Sequence, residues 1–399
     1  MAPTVTVPSG VPVVIAVAGR FDDGALAVLN QQVAGFEAAD PNIRIELVQA
    51  PRITAERHDW FAADLEAGGA SADILVVDYP WLAEFAAAGW LSPLDNYVES
   101  AAIDPAAFLP ATVKASTAHG QLTALPWTAD GGVLYYRRDL LSKYGYAPPT
   151  TWSDLQRIAL QIKDKEGLPY GFVWQGASYE GLTCNVLEFV WAGGGDVLDN
   201  AGAVIFDSPQ TQTALQQLAE VLATGASPSQ IATFQEDQTL SAFRAGNAVF
   251  MRNWSYAWDR VKQQSSAVAG QVGIIPLPRS CLGGQALALS SASLHKAEAF
   301  RFMAFLAGYD QQVQAALLVG QPAALLAVYD DVNLLAADPA WQDLYAALAV
   351  TNPRPVAGSY AELSRAIYSE VSKLLVGQQD PATTAASVQR RIQAILGQQ

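Results

Sequence analysis

The sequence predicts an α/β protein built as two units, and three observations predict it. At 399 residues the chain exceeds the size at which one hydrophobic core usually suffices. Hydrophobic residues make up 51% and charged residues 15%, which supplies sizeable cores and argues against a disordered chain. Short apolar runs alternate with helix-period segments, and the alternation restarts after Pro126.

Val13-Val14-Ile15-Ala16-Val17 reads as a buried strand, followed by a helix whose Leu26, Leu29, Val33 and Phe36 recur at helical spacing. Asp40-Pro41-Asn42 breaks that helix, and residues 43–48 supply the next strand. A third strand, Ile74-Leu75-Val76-Val77, runs into Asp78; Pro80 then opens a helix, and Gly89 stands where it would end. Strands separated by helices in this way form a parallel sheet covered on both faces. In the second stretch, residues 133–136, 171–174 and 248–251 read as strands. Thr151-Trp152-Ser153-Asp154 and Ser208-Pro209 open helices, residues 274–278 are extended, and Ser359 to Leu396 is mainly helical.

A formal charge of −15 disfavours nucleic acid as a partner, because phosphate neutralisation needs clustered Lys and Arg. No run of eighteen apolar residues spans a membrane. The opening Met1-Ala2-Pro3-Thr4 has no basic and apolar leader, which leaves a cytosolic protein or one whose leader has been removed. His58, His119, His295, Cys184 and Cys281 do not fall at metal-ligand spacing, so no metal or cofactor is expected. Gly193-Gly194-Gly195 lacks the Lys-Ser or Lys-Thr of a phosphate loop. The two cysteines are either buried free thiols or, in an exported protein, a disulfide.

Ligands of open parallel sheets collect beyond the C-terminal strand ends. Three carboxylates, Asp23, Asp78 and Asp130, fall in loops predicted to leave strands or crossings, and Trp127, Trp174, Tyr179, Trp254, Trp258 and Tyr360 flank the later strands. Carbohydrate requires this mixture. Carboxylates accept hydrogen bonds from vicinal hydroxyls, and the C–H face of a pyranose packs on an indole or phenol. Each residue also has a plainer use: an Asp after a strand caps helices and forms turns, and a Trp fills a core, as Trp81, Trp90, Trp152 and Trp191 are expected to do. Trp254, in Arg252-Asn253-Trp254-Ser255-Tyr256 directly after a strand, is better placed for a site.

Several strings resemble the extracellular solute-binding proteins of carbohydrate ABC importers. They are Ala72-Asp73-Ile74 through Trp90-Leu91-Ser92-Pro93-Leu94-Asp95, Leu125-Pro126-Trp127 through Tyr135-Tyr136-Arg137-Arg138-Asp139-Leu140-Leu141, and Pro148-Pro149-Thr150-Thr151-Trp152. Phe243-Arg244-Ala245-Gly246-Asn247-Ala248, Arg252-Asn253-Trp254 and Arg354-Pro355 complete the series, in order along nearly the whole chain. The nearest branch is that of the trehalose/maltose-binding proteins and their glucosyl-osmolyte relatives.

The resemblance implies a two-lobe Venus-flytrap fold with three crossing segments, closing on a sugar held in the interlobe cleft. One lobe is expected over 1–127 and 283–329, the other over 128–282 and 330–399. Carried over residue by residue, the ligand-binding set is Asp23, Asp78, Asp130, Trp254, the Gly283-Gly284 backbone and Arg354, with Gln285 and Glu180 as further contacts. Relatives often place a Trp after the glycine pair where this chain has Gln285. The expected ligand is therefore a disaccharide or glucosyl-osmolyte: trehalose, maltose, sucrose or, with a smaller polar aglycone, glucosylglycerol. The implied partners are that sugar and a membrane permease, for a periplasmic or extracytoplasmic monomer with or without a lipid anchor, and no catalysis. A glycoside-acting enzyme using paired carboxylates is the rival reading.

Overall fold

A computed structural model of the protein describes residues 12–21, 23–69 and 71–397. It is mixed α/β and separates into two compact units, Met1–Ala129 with Gly284–Ala337 and Asp130–Gly283 with Asp338–Gln399. The strands of the two main sheets are β1 (Val13–Gly19), β2 (Ile43–Gln49), β3 (Ile74–Asp78), β4 (Ala124–Pro126), β5 (Asp130–Arg137), β6 (Tyr170–Val173), β7 (Ala248–Trp254), β8 (Val272–Pro276), β9 (Ser280–Gly283), β10 (Gln285–Leu289) and β11 (Thr351–Asn352).

The first unit carries the sheet β2-β1-β3-β10-β4. β1 pairs in parallel with β2 and β3, while β10 returns antiparallel to both β3 and β4. Helices Asp23–Ala39 and Thr54–Glu66 make the crossovers that parallel strands require. Ile74, Leu75, Val76 and Val77 of β3 are all buried, which is why this strand reads as an unbroken apolar run with no alternation. Pro80 lies in a single 3₁₀ turn, Tyr79–Trp81, that leads into the short helix Leu82–Ala87. Trp81, Phe61 and Phe85 pack together beneath it.

The second unit is built around β5, in the order β11-β9-β5-β7-β6, with β8 also paired to β5. β5 is antiparallel to β7, β8 and β9, and only the edge pairs β6–β7 and β9–β11 are parallel. Local chemistry sets the helix ends. Thr151 Oγ1 accepts from the Asp154 N–H at 3.1 Å and Ser208 Oγ from the Thr211 N–H at 3.2 Å, caps worth about 1 kcal/mol each. Trp152 stacks on Phe189 with ring centroids 3.9 Å apart, and helices Tyr360–Leu375 and Pro381–Ile395 close the chain.

Three of the aromatics read as flanking strand ends, Trp127, Trp174 and Tyr360, are buried. Trp174, read as flanking a strand end, is fully buried and donates through Nε1 to Ser227 Oγ at 3.0 Å. Of the ten tryptophans, Trp81, Trp127, Trp152, Trp174 and Trp341 are buried and the other five are half-buried.

Candidate functional site

In the first unit, antiparallel pairing sets Gln285 at the head of β10 opposite Asp78 at the tail of β3. Gln285 Nε2 donates to Asp78 Oδ1 at 3.1 Å, and Arg57 Nη2 donates to Oδ2 at 3.0 Å. Arg57 itself is buried, with Nη1 on the carbonyl of Arg52 at 3.1 Å and its guanidinium 5.4 Å from the Trp81 ring centre. Each oxygen of Asp78 thus accepts one hydrogen bond and keeps a lone pair for another donor. The segment after β4 is tied to the same place. Thr128 Oγ1 accepts from the Gln285 backbone N–H at 2.9 Å, and the Thr128 carbonyl accepts from the Tyr79 hydroxyl at 2.9 Å.

In the second unit the ends of β5, β7 and β9 meet. Asp130, the first residue of β5, pairs with Gly283, the last of β9, and Gly132 pairs with Trp254, the last of β7. The hydrogen bonds to the half-buried Asp130 all fall on Oδ1: from Ser255 Oγ, from the Gly131 N–H at 3.1 Å and from the Tyr256 N–H at 3.3 Å. Oδ2 accepts no hydrogen bond from the described residues. Burial outweighs these donors and pushes the carboxyl up to about 6.

Trp254 is half-buried, with Nε1 donating to Glu236 Oε1 at 3.2 Å. Gly283 is glycine for a steric reason: a Cβ there would fall 2.8 Å from Trp254 Cζ3. Gly284 has φ +92°, a conformation open to glycine and strained for other residues.

Glu180 and Arg354 prove to be one feature. Arg354 Nη1 donates to Glu180 Oε1 at 2.6 Å, and Nη2 donates to the Leu282 carbonyl, one residue before Gly283, at 3.1 Å. Glu180 also accepts from the hydroxyls of Tyr360 and Ser364. A carboxylate so saturated is suited to anchoring Arg354, and both of its oxygens are already engaged.

The fold therefore gathers Asp78 with Gln285 in one unit, and Asp130, Trp254, Gly283, Glu180 and Arg354 in the other. Asp23 opens the helix Asp23–Ala39, but its side chain lies outside the described residues. Sequence reasoning missed Arg57, Glu236 and Ser255. Ser255 follows Trp254 directly, yet only the strand pairing reveals that it faces Asp130. Among the described residues no group of three His, Cys, Asp or Glu side chains could hold a metal ion.

The family model of the bacterial extracellular solute-binding proteins matches residues 22–313. A probable ABC transporter-binding protein of Deinococcus radiodurans is 33% identical over 369 residues, covering 88% of this chain and 87% of its own. The mannitol-binding protein of Pseudomonas aeruginosa is 26% identical over 293 residues, 70% of this chain and 66% of its own. Among solved structures, maltose-bound MalE3 of T. maritima superimposes with a TM-score of 0.88 at 36% identity, covering 96% of this chain and all of the other. No helix among the described residues is long and apolar enough to cross a membrane. The chain belongs to the bacterial extracellular solute-binding proteins, extracytoplasmic components of ABC transporters that bind a substrate and are not enzymes.

Proposed function

We propose that the chain binds a small neutral carbohydrate and delivers it to the permease of an ABC importer. The observation that carries this reading is the meeting of Asp130, with one carboxylate oxygen uncommitted, and the half-buried indole of Trp254 at the ends of β5 and β7. Such a pair offers a hydrogen-bond acceptor beside an apolar face, and a pyranose or polyol presents hydroxyls and C–H groups to match. The Asp78–Gln285 pair adds acceptors and an amide that can donate or accept.

The named relatives bind mannitol and maltose, a polyol and a disaccharide. Gln285 favours the polar end of that range, because an amide after Gly283-Gly284 provides hydrogen bonds where an aromatic ring would provide stacking. The class we favour is a disaccharide or glucosyl-osmolyte: trehalose, maltose, sucrose or, with a smaller polar aglycone, glucosylglycerol.

A thermal-shift screen over these sugars, mannitol and glycerol tests the reading. A ligand at 100 times its Kd stabilises the folded state by about 2.7 kcal/mol, which raises the Tm by several degrees. Calorimetric titration of the best hit should give one site per chain, with the sugar recovered unchanged. No shift with any of them, or hydrolysed product, would overturn it.

A further inference from the structure

The indole of Trp254 rests on a fully buried ion pair that the binding reading does not use. Arg252 stands two residues earlier on β7, and alternation along a strand gives both side chains the same face. Its guanidinium carbon lies 4.2 Å from the Trp254 ring centre. Arg252 and Glu188 are both entirely without solvent exposure. Arg252 Nε donates to Glu188 Oε2 at 2.9 Å, Nη2 donates to Glu188 Oε1, and Nη1 donates to Gln175 Oε1 at 2.9 Å. Glu188 Oε1 further accepts the backbone N–H of Cys281 on β9 at 3.1 Å. One carboxylate thus ties helix Glu180–Ala192 to β7 and β9.

The backbone makes room for this pair. A Cβ on Gly132, the residue opposite Trp254, would fall 2.0 Å from Glu188 Oε1 and 2.6 Å from Arg252 Nη2. The indole is restrained at three points: the guanidinium on a face, Gly283 at the benzo edge and Glu236 at Nε1.

Stability alone is a poor reason for such a pair. Desolvating two charges offsets most of their attraction, and apolar residues of similar volume commonly serve as well or better. A planar cation fixed by a bidentate carboxylate does supply a flat, rigid support for an aromatic ring. We propose that Arg252 and Glu188 are positioning residues that hold the Trp254 indole in a preset orientation, so that its ordering entropy is not charged against ligand binding. This rests on the reading of Trp254 as a carbohydrate platform.

The test uses the full chain with the paired variant Arg252→Met/Glu188→Gln, which removes both charges and keeps an acceptor for the Cys281 N–H. In the ligand-free protein the near-UV circular dichroism and iodide quenching of Trp254 should change, each read as the difference from the same variant carrying Trp254→Phe. Affinity for the sugar that most raises the Tm should fall about tenfold, the scale of one aromatic contact. In a Trp254→Ala background the same pair should cost no more than about twofold, the non-additivity expected of coupled residues. Arg252→Lys serves if the pair does not fold, since it keeps the charge on Glu188 while withdrawing the flat guanidinium; it should shift the same signals. Unchanged indole signals, or an equal loss of affinity with and without Trp254, would overturn the proposal. If Trp254→Ala binds as the parent does, or no sugar binds at all, the platform reading falls while the spectral comparison still decides the positioning.

Discussion

Asp130 is where a single residue carries most information. Its ordinary carboxyl value of 3.8 is raised to about 6 by burial, so the folded state keeps this proton while the unfolded chain has already released it. By linkage, Asp130 lowers stability as pH rises from about 4 to about 6 and contributes nothing further above that. Ligand binding runs the other way. A sugar hydroxyl donating to Oδ2 favours the ionised carboxyl, so affinity should rise as pH passes upward through about 6 and level off beyond it. Asp130→Asn should bind more weakly at neutral pH and lose that pH dependence. Isothermal titrations between about pH 4 and about pH 8 (roughly 2 units on either side of the raised value) would check it, and an affinity flat across the window in the parent would refute it.

The secondary-structure elements show how much was legible beforehand. β3 betrays itself by four consecutive apolar residues, and the first crossover, Asp23–Ala39, follows from its helical spacing, whereas the second, Thr54–Glu66, does not stand out from the sequence. The helix starts at Thr151 and Ser208 were readable because an N-cap is a local event, decided within three residues. The second sheet was not readable as an arrangement, since β5, β7, β8 and β9 pair across separations that no local period encodes. The same limit separates the residues of the site. Asp78, Asp130 and Trp254 stand at strand ends and could be picked out, and the family likeness supplied Arg354. Arg57, 21 residues from Asp78, and Glu188, 64 from Arg252, announce themselves only when the chain is folded.

Cys184 on helix Glu180–Ala192 and Cys281 on β9 make the element-scale prediction. Both are free and fully buried, and burial raises the Cys184 thiol above its ordinary value, which suppresses the reactive thiolate. A thiol reagent should therefore find no reactive group in the native protein at neutral pH and two per chain after denaturation without reductant. Zero after denaturation would mean that a disulfide had formed.

At the scale of the whole molecule, two sheets with separate cores each present part of the proposed binding set, and that division can be tested by genetics. Trp254→Ala removes an aromatic contact from the second unit and should weaken binding by about 1–3 kcal/mol with little change in folding. Asp78→Ala acts in the first unit. It leaves a ligand hydroxyl and Nη2 of the buried Arg57 without their acceptor, and should cost a similar amount, whereas Asp78→Asn keeps a carbonyl and should cost less. The two sites share no protein partner, so their losses should add to within about 0.5 kcal/mol in the double variant. If the ligand were held by one unit alone, substitutions in the other would leave affinity unchanged. The formal charge of −15 supplies an independent check, because a neutral ligand has no long-range interaction for salt to screen. The Kd should therefore be the same at about 0.05 M and about 0.5 M salt, where the Debye length falls from roughly 14 Å to roughly 4 Å. A Kd that weakened steeply with salt would mean that the bound solute is a cation drawn to the acidic surface, and the carbohydrate reading would have to be abandoned.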